Sequence, residues 1–219
     1  MSKILDTRRI EIPRGIHGRS ARKTAILAAA VGCGVLAISS CSGESQKPDA
    51  SGVSAGEVCA GIFSTDAATG LESISGTDVF GELPEVPADE FSASIERLRS
   101  GGEAEERLCS IYAPPDDDLP SVTISFRWAL PNFSGDGDGY ATGMVASILP
   151  NAAIVAFQCE GEDYPPDKVM LGSLHVRSGS EEPHGQMAMI NAASRAVAEG
   201  LGCLDESGLV EGVPQPVGD

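Results

Sequence analysis

The sequence predicts an α+β fold: an antiparallel sheet of about four strands with helices packed mainly on one face, held by two disulfides. Residues 122–130 alternate between apolar and polar side chains, the pattern of a strand with one buried face. Residues 88–99 and 183–201 place apolar side chains at helical intervals. Four well-separated cysteines fall in a body of about 155 residues, which is long enough for one hydrophobic core.

Residue types typical of helix ends delimit the first two predicted helices. An N-cap at Ser64 or Asp66 starts a helix that stops at Gly76. Residues 88–99 form the second helix, which Gly101 and Gly102 end. One face of this helix carries Phe91, Ile95 and Leu98. Residues 103–108 are read as a further turn of helix, and residues 109–112 are ambiguous.

The longest helix closes the fold. It starts at Pro183 or His184, runs to Leu201 and ends at Gly202, a residue type that favours the position after a helix. Its apolar stripe consists of Met187, Ile190, Val197 and Leu201. We expect its small residues to let it lie close to the sheet, namely Ala192, Ala193 and Ala196.

Four strands are expected between the second helix and the last. The segment 152–159 is apolar on both faces, which predicts a central position in the sheet. The predicted strands are residues 122–130, 144–149, 152–159 and 169–177. Trp128 lies on the apolar face of its strand and is expected in the core, whereas Arg127 points the other way.

The first forty residues read as a lipoprotein signal peptide. A basic segment with Arg19, Arg22 and Lys23 precedes an apolar run over residues 25–38, and two serines then lead to Cys41. The run is shorter than the about 20 apolar residues that a membrane-spanning helix needs. Cys41 is therefore the predicted lipidation site, with an ordinary secretory signal or a retained anchor helix as alternatives. The Arg8-Arg9 pair leaves twin-arginine export open.

The predicted organisation has four parts. Residues 1–40 are the signal peptide, and residues 41–56 are the lipidated cysteine and a flexible tether without apolar periodicity. Residues 57–210 form a single α+β domain. Residues 211–219 are expected to be a loose C-terminal tail.

The remaining cysteines predict a disulfide framework. Cys33 would leave with the signal peptide, and an even number in an exported body argues for two bridges. Three pairings are possible; we favour those that join neighbouring elements, Cys59–Cys109 and Cys159–Cys203. Zinc ligands usually include closely spaced cysteine pairs, and the sequence has none, so no metal or cofactor is expected.

The charge of the chain limits its partners. Residues 41–219 carry 8 Lys and Arg against 30 Asp and Glu, a formal charge of −22. Nucleic acid is excluded as a partner, because neutralising phosphates needs clustered cations. We expect the membrane to be contacted through lipid on Cys41, since two acyl chains suffice for stable anchoring.

No catalytic motif is found after the tether. Residues 57–219 contain no G-x-S-x-G elbow, no phosphate-binding glycine loop and no S-x-x-K pattern. His175 and His184 have no partner residue at ligand spacing. Asp136 and Asp138 do not fit an EF-hand register, although a looser calcium site that includes residues 116–118 is an alternative.

Four blocks resemble a group of uncharacterised secreted lipoproteins from high-GC Gram-positive bacteria. They contain core residues and cysteines and are residues 58–63 (VCAGIF), 154–159 (IVAFQC), 171–174 (LGSL) and 190–203 (INAASRAVAEGLGC). The resemblance implies the location, the fold and the disulfides, and it implies no activity.

We therefore expect a membrane-anchored extracytoplasmic lipoprotein. Its domain would be a non-catalytic binding or interaction module of the cell envelope, for an envelope protein or a small ligand. An envelope hydrolase without a recognisable motif and a small solute-binding receptor are the alternatives.

Overall fold

A computed structural model of the chain describes residues 52–82, 88–102, 104–132, 137–161, 163–178 and 182–218. The predicted signal peptide and Cys41 lie outside these residues. In the described part, the helices are α1 (Thr65–Ser75), α2 (Ala88–Arg99) and α3 (Pro183–Leu201). The strands are β1 (Gly81–Glu82), β2 (Glu106–Tyr112), β3 (Val122–Ala129), β4 (Asp138–Gly139), β5 (Val145–Leu149), β6 (Ala152–Phe157) and β7 (Val169–Val176).

The helix ends follow the sequence signals. Gly76 takes a left-handed conformation (φ 66°) after α1, and Gly202 does the same (φ 89°) after α3. The amide of Gly202 donates to the carbonyls of Ala198 and Glu199 at 2.9 and 3.0 Å. Because glycine has no Cβ, this conformation costs it little, and the helix closes with satisfied carbonyls. The predicted bounds of the second and third helices are confirmed.

The strands form one antiparallel sheet in the order β1-β2-β3-β7-β6-β5-β4. The α+β class and the antiparallel sheet are confirmed, but the expected number of about four strands is too low. The four predicted strands are β3, β5, β6 and β7. The expected central strand, β6, lies inside the sheet, but the middle position belongs to β7.

The strand β2 corrects the expectation of a further helical turn over residues 103–108. Charged residues such as Glu106 and Arg107 favour helix only weakly. Here the segment pairs with β3, with a bulge between Arg107 and Cys109, and Ile111 is fully buried. Pairing and burial outweigh the local preference. The other two additional strands, β1 and β4, have only two residues each, too few for a periodic signal.

The main core lies between the sheet and the helices. Helix α3 packs on β5, β6 and β7, α2 packs on β2 and β3, and α1 packs on α3. The predicted stripe of α3 is buried, since Met187, Ile190 and Val197 have no exposed surface. Gly172 makes room for Phe126, because a Cβ there would lie 2.6 Å from Cε1 of Phe126.

Both ends of the domain extend further than expected. The sequence places residues 52–56 in the tether. In the structure, Val53 exchanges two backbone hydrogen bonds with Phe80, and Ala55 is buried. The C-terminal tail, which is expected to be loose, also makes backbone hydrogen bonds. The amide of Ala141 donates to the backbone carbonyl of Gln215, and the amide of Val217 donates to the backbone carbonyl of Gly139. Backbone pairing, which composition does not reveal, includes both segments in the folded body.

Two disulfides connect neighbouring elements. Cys59, before α1, is bonded to Cys109 in β2, and Cys159, after β6, is bonded to Cys203, after α3. The favoured pairing is therefore the one that the structure contains.

Candidate functional site

The candidate site is a groove along the outward-facing side of α3, with a volume of about 510 Å³. Ligand sites in proteins usually measure about 300–1,000 Å³. The groove is bounded by the start of α1, by α2 and by a segment near the C-terminus. Its lining residues are Ile62, Ser64, Phe91, Asn191, Ala192, Arg195, Ala196, Glu199, Gly200, Glu211 and Gly212.

The floor of the groove consists of small residues of α3. Ala192, Ala196 and Gly200 recur every four residues, so they share one face of the helix. Ala192 and Ala196 are half-buried, whereas Ala193 is fully buried in the core. Of the three alanines expected to allow close packing, Ala193 lies in the core, whereas Ala192 and Ala196 line the groove and Ala192 also packs against the core.

One wall of the groove is apolar. Ile62 and Phe91 are half-buried and pack at the margin of the main core. Ile62 follows the short 3₁₀ turn Cys59–Gly61, which the disulfide to Cys109 attaches to β2. Phe91 lies in the first turns of α2. This wall is thus built from two separate elements that the disulfide and the core hold in place.

The opposite wall is fixed by the buried side chain of Asn191. Its Nδ2 donates to the carbonyls of Val210 and Gly212 at 2.9 and 3.0 Å. The hydroxyl of Thr142 donates to Oδ1 of Asn191 at 2.7 Å and accepts from the amide of Val210 at 3.2 Å. Two of these bonds attach the segment that carries Glu211 directly to α3, and the other two run through Thr142, which bridges Asn191 and Val210.

Charged groups of both signs face the groove. Arg195 is half-buried, and its Nη1 donates to the carbonyl of Leu209 at 3.1 Å. Glu199 and Glu211 are exposed. No ion pair joins Arg195 to a carboxylate within the described part of the chain. The groove therefore offers one oriented cation, two carboxylates and an apolar surface.

A second depression lies on the opposite face of the sheet and measures about 630 Å³. It is lined by Arg127, Trp128, Ala129, Leu130, Asn132, Lys168 and Leu171. Asn132 directly precedes residues 133–136, which lie outside the described residues. We take the groove on α3 as the candidate site, because its lining combines an oriented cation, two carboxylates and an apolar wall.

The two histidines occupy different places. His175 lies exposed in β7, and His184 lies exposed in the first turn of α3. Nδ1 of His184 is 3.5 Å from the hydroxyl of Tyr140, and the two rings meet edge to face. Burial, and to a lesser degree the charge of Asp138, raises the pKa of Tyr140. Neither histidine hydrogen-bonds a serine hydroxyl among the residues described.

The acidic residues considered for calcium form no metal-binding cluster among the described residues. Asp136 lies outside the described residues, and Asp138 lies in β4. Asp117 pairs with Arg177, and this hydrogen bond lowers the pKa of the Asp117 carboxyl. Across the described ranges, no cluster of three His, Cys, Asp or Glu side chains could hold a metal ion.

The tryptophan of β3 lies in the core, as the sequence predicts. Trp128 is buried (3% exposed), its Nε1 donates to the carbonyl of Leu98 at 2.8 Å, and its ring lies 5.6 Å from that of Tyr164. Arg127 is exposed on the other face of the sheet.

Sequence reasoning missed the charged residues of the groove. Arg195, Glu199 and Glu211 carry no motif, and Glu211 joins the other two at the groove because Asn191 attaches the C-terminal segment to α3. The four-residue spacing of Ala192, Ala196 and Gly200 was the one local signal.

None of the described helices is long and apolar enough to cross a membrane. Comparisons with protein families, with curated proteins and with solved structures found no match for this chain.

Proposed function

We propose that this chain is an extracytoplasmic lipoprotein whose folded domain is a non-catalytic binding module, with the groove on α3 as its binding site. The observation that carries the binding proposal is the groove itself. It has the volume of a ligand site, an apolar floor and fixed polar groups at its margin. Binding would need no covalent step, since apolar contact and a few oriented charges supply affinity and specificity.

The anchoring proposal rests on the N-terminal sequence. Basic residues, a short apolar run and Cys41 stand in the order of a lipoprotein signal peptide. The two disulfides are consistent with an oxidising compartment outside the cytosol. The charge of −22 on residues 41–219 does not favour direct contact with an anionic bilayer, so the lipid on Cys41 would provide attachment.

A fragment screen tests the binding proposal. Amide chemical shifts of the labelled protein are recorded against a general library of small organic fragments. We expect hits that shift amides of Ala192, Ala196 and Gly212. An Ala196→Leu variant should lose these hits because its side chain fills the groove, whereas Ala93→Leu, an exposed alanine of α2 outside the groove, should keep them. A library without any hit in the groove would contradict the proposal.

Cell fractionation tests the anchor. Cys41→Ser should move the protein from the membrane fraction to the soluble fraction and should abolish incorporation of labelled palmitate. Cys33→Ser is the matched control, because Cys33 lies within the predicted signal peptide and should not affect either result. Membrane retention of the Cys41→Ser protein would contradict lipidation at this residue.

The solute-receptor alternative keeps one specific observation, since the groove has the size of a small solute site. It would require transfer of the bound solute to a transporter. The hydrolase alternative would require a nucleophile and a base in contact. Hydrolysis of ester or peptide probes by the purified protein, lost on His184→Ala, would favour the hydrolase over the binding module.

A further inference from the structure

The charges along the groove form a pattern that complements a dipolar molecule. Arg195 and Glu199 lie four residues apart on α3, and residues with this spacing have Cβ atoms about 5–6 Å apart on the same face of a helix. Both side chains line the groove. A positive and a negative group therefore stand next to each other above one apolar floor.

The guanidinium of Arg195 is oriented and has hydrogen-bond donors available for an anion. The bond from Nη1 to the carbonyl of Leu209 orients the guanidinium. Among the described residues, Nε and Nη2 of Arg195 have no hydrogen-bond partner, so donors remain for a carboxylate. An anion alone would also meet Glu199 and Glu211, whose charges oppose it.

The two carboxylates favour a cation within the same ligand. Glu199 lies on the helix, and Glu211 lies on the wall that Asn191 holds in place. An ammonium group near them would neutralise part of the repulsion that a carboxylate on Arg195 experiences. A ligand with an ammonium group and a carboxylate attached to one carbon atom offers a partner to all three groups.

The apolar surface determines the rest of the ligand. Ile62 and Phe91 are half-buried beside the small floor residues Ala192 and Ala196, and this surface lies next to the charged pair. An aliphatic or aromatic side chain would cover it, and removing this apolar surface from water would favour binding.

We propose that the groove binds free apolar α-amino acids. The ligand carboxylate would accept hydrogen bonds from Arg195, the ammonium group would face Glu199 and Glu211, and the side chain would lie against Ile62 and Phe91. An α-amino acid carries its ammonium and carboxylate groups on the same carbon atom, which matches groups one helical turn apart. This inference rests on the proposed binding role of the groove.

The test compares leucine with two analogues that each lack one charge. Binding of leucine, 4-methylpentanoate and 3-methylbutylamine is measured by amide shifts of the labelled protein. We expect leucine to bind at least about tenfold more tightly than either analogue, because each lost charge removes a charge-assisted contact. Glycine, which has no apolar side chain, should bind more weakly than leucine.

Two variants assign the charges. Glu199→Gln should reduce the preference for leucine over 4-methylpentanoate, because the carboxylate that faces the ammonium is lost. Arg195→Gln should reduce the preference for leucine over 3-methylbutylamine. Arg127→Gln and Glu206→Gln are matched controls, since both residues are exposed and lie outside the groove, and they should change neither preference. If Arg195→Gln does not fold, the exposed position Glu199 decides the test.

The outcomes separate this inference from the proposed function. Analogues that bind in the groove as tightly as leucine would overturn the amino-acid inference and leave the binding role intact. The same holds if fragments occupy the groove while leucine does not. A groove that binds neither fragments nor any of these probes would overturn both.

Discussion

The side chain of Asn191 should be one of the most important polar contributions to stability in this protein. It is 1% exposed and takes part in three hydrogen bonds, with Thr142, Val210 and Gly212. Each intramolecular hydrogen bond contributes about 0.5–1.5 kcal/mol net, and leaving buried partners unsatisfied costs more. We therefore expect Asn191→Ala to lower the free energy of unfolding by about 3 kcal/mol.

A double-mutant cycle with Thr142→Val tests the origin of this loss. Valine has nearly the shape of threonine but neither donates to Asn191 nor accepts from Val210, so we expect a loss of about 2 kcal/mol. The bond between the two side chains is removed by either substitution. The double variant should therefore lose about 1 kcal/mol less than the sum of the two single variants.

Urea unfolding followed by tryptophan fluorescence is the assay. Trp128 is the only tryptophan of the chain and is buried, so its emission reports global unfolding. Asn132→Ala, at an exposed asparagine, is the control and should change stability by less than about 0.5 kcal/mol. A loss below about 1 kcal/mol for Asn191→Ala, or strictly additive effects, would refute the reasoning.

Three further predictions concern the rest of the fold. Replacing Cys159 and Cys203 together by serine should lower the free energy of unfolding by about 4 kcal/mol, the chain-entropy value for a separation of 44 residues, as measured by urea unfolding. Gly172→Ala should cost about 1–3 kcal/mol, because its Cβ would overlap Phe126; an unchanged melting temperature would show that the ring can move aside. The raised pKa of Tyr140 favours its neutral form in the folded state. This contribution is complete below the unfolded-state pKa of about 10 and is lost as the pH rises through the folded pKa, so Tyr140→Phe should reduce the loss of stability above about pH 10 in thermal melts.

Much of the architecture could be predicted because the spacing of apolar residues along the sequence reflects which side chains are buried. The apolar residues in the alternation of β3 and in the stripe of α3 are ones that the fold buries, and both elements were found close to their observed bounds. The strand β2 was missed because the charged residues around Glu106 favour helix locally, and only pairing with β3 makes the segment a strand. The same holds for Gln215, whose backbone contact with Ala141 is set by tertiary structure alone.

The groove could not be predicted for a different reason. Its walls come from Ile62, Phe91 and Glu211, which are far apart in sequence, and no motif connects them. The disulfides could be predicted because cysteine number and spacing restrict the pairings to three. A binding surface made of common side chains has no such restriction, so its position depends on the folded arrangement.

The place of β7 between β3 and β6 has a consequence for synthesis of this protein. Until residues 169–176 are available, β3 and β6 each present a long open edge to water and to other chains. In a nascent or truncated polypeptide that ends before residue 169, the strands β1-β2-β3 and β6-β5-β4 would form two separate sheets, each with an unpaired edge strand. Such intermediates should need protection from aggregation, and the final insertion of one strand closes both edges in a single event.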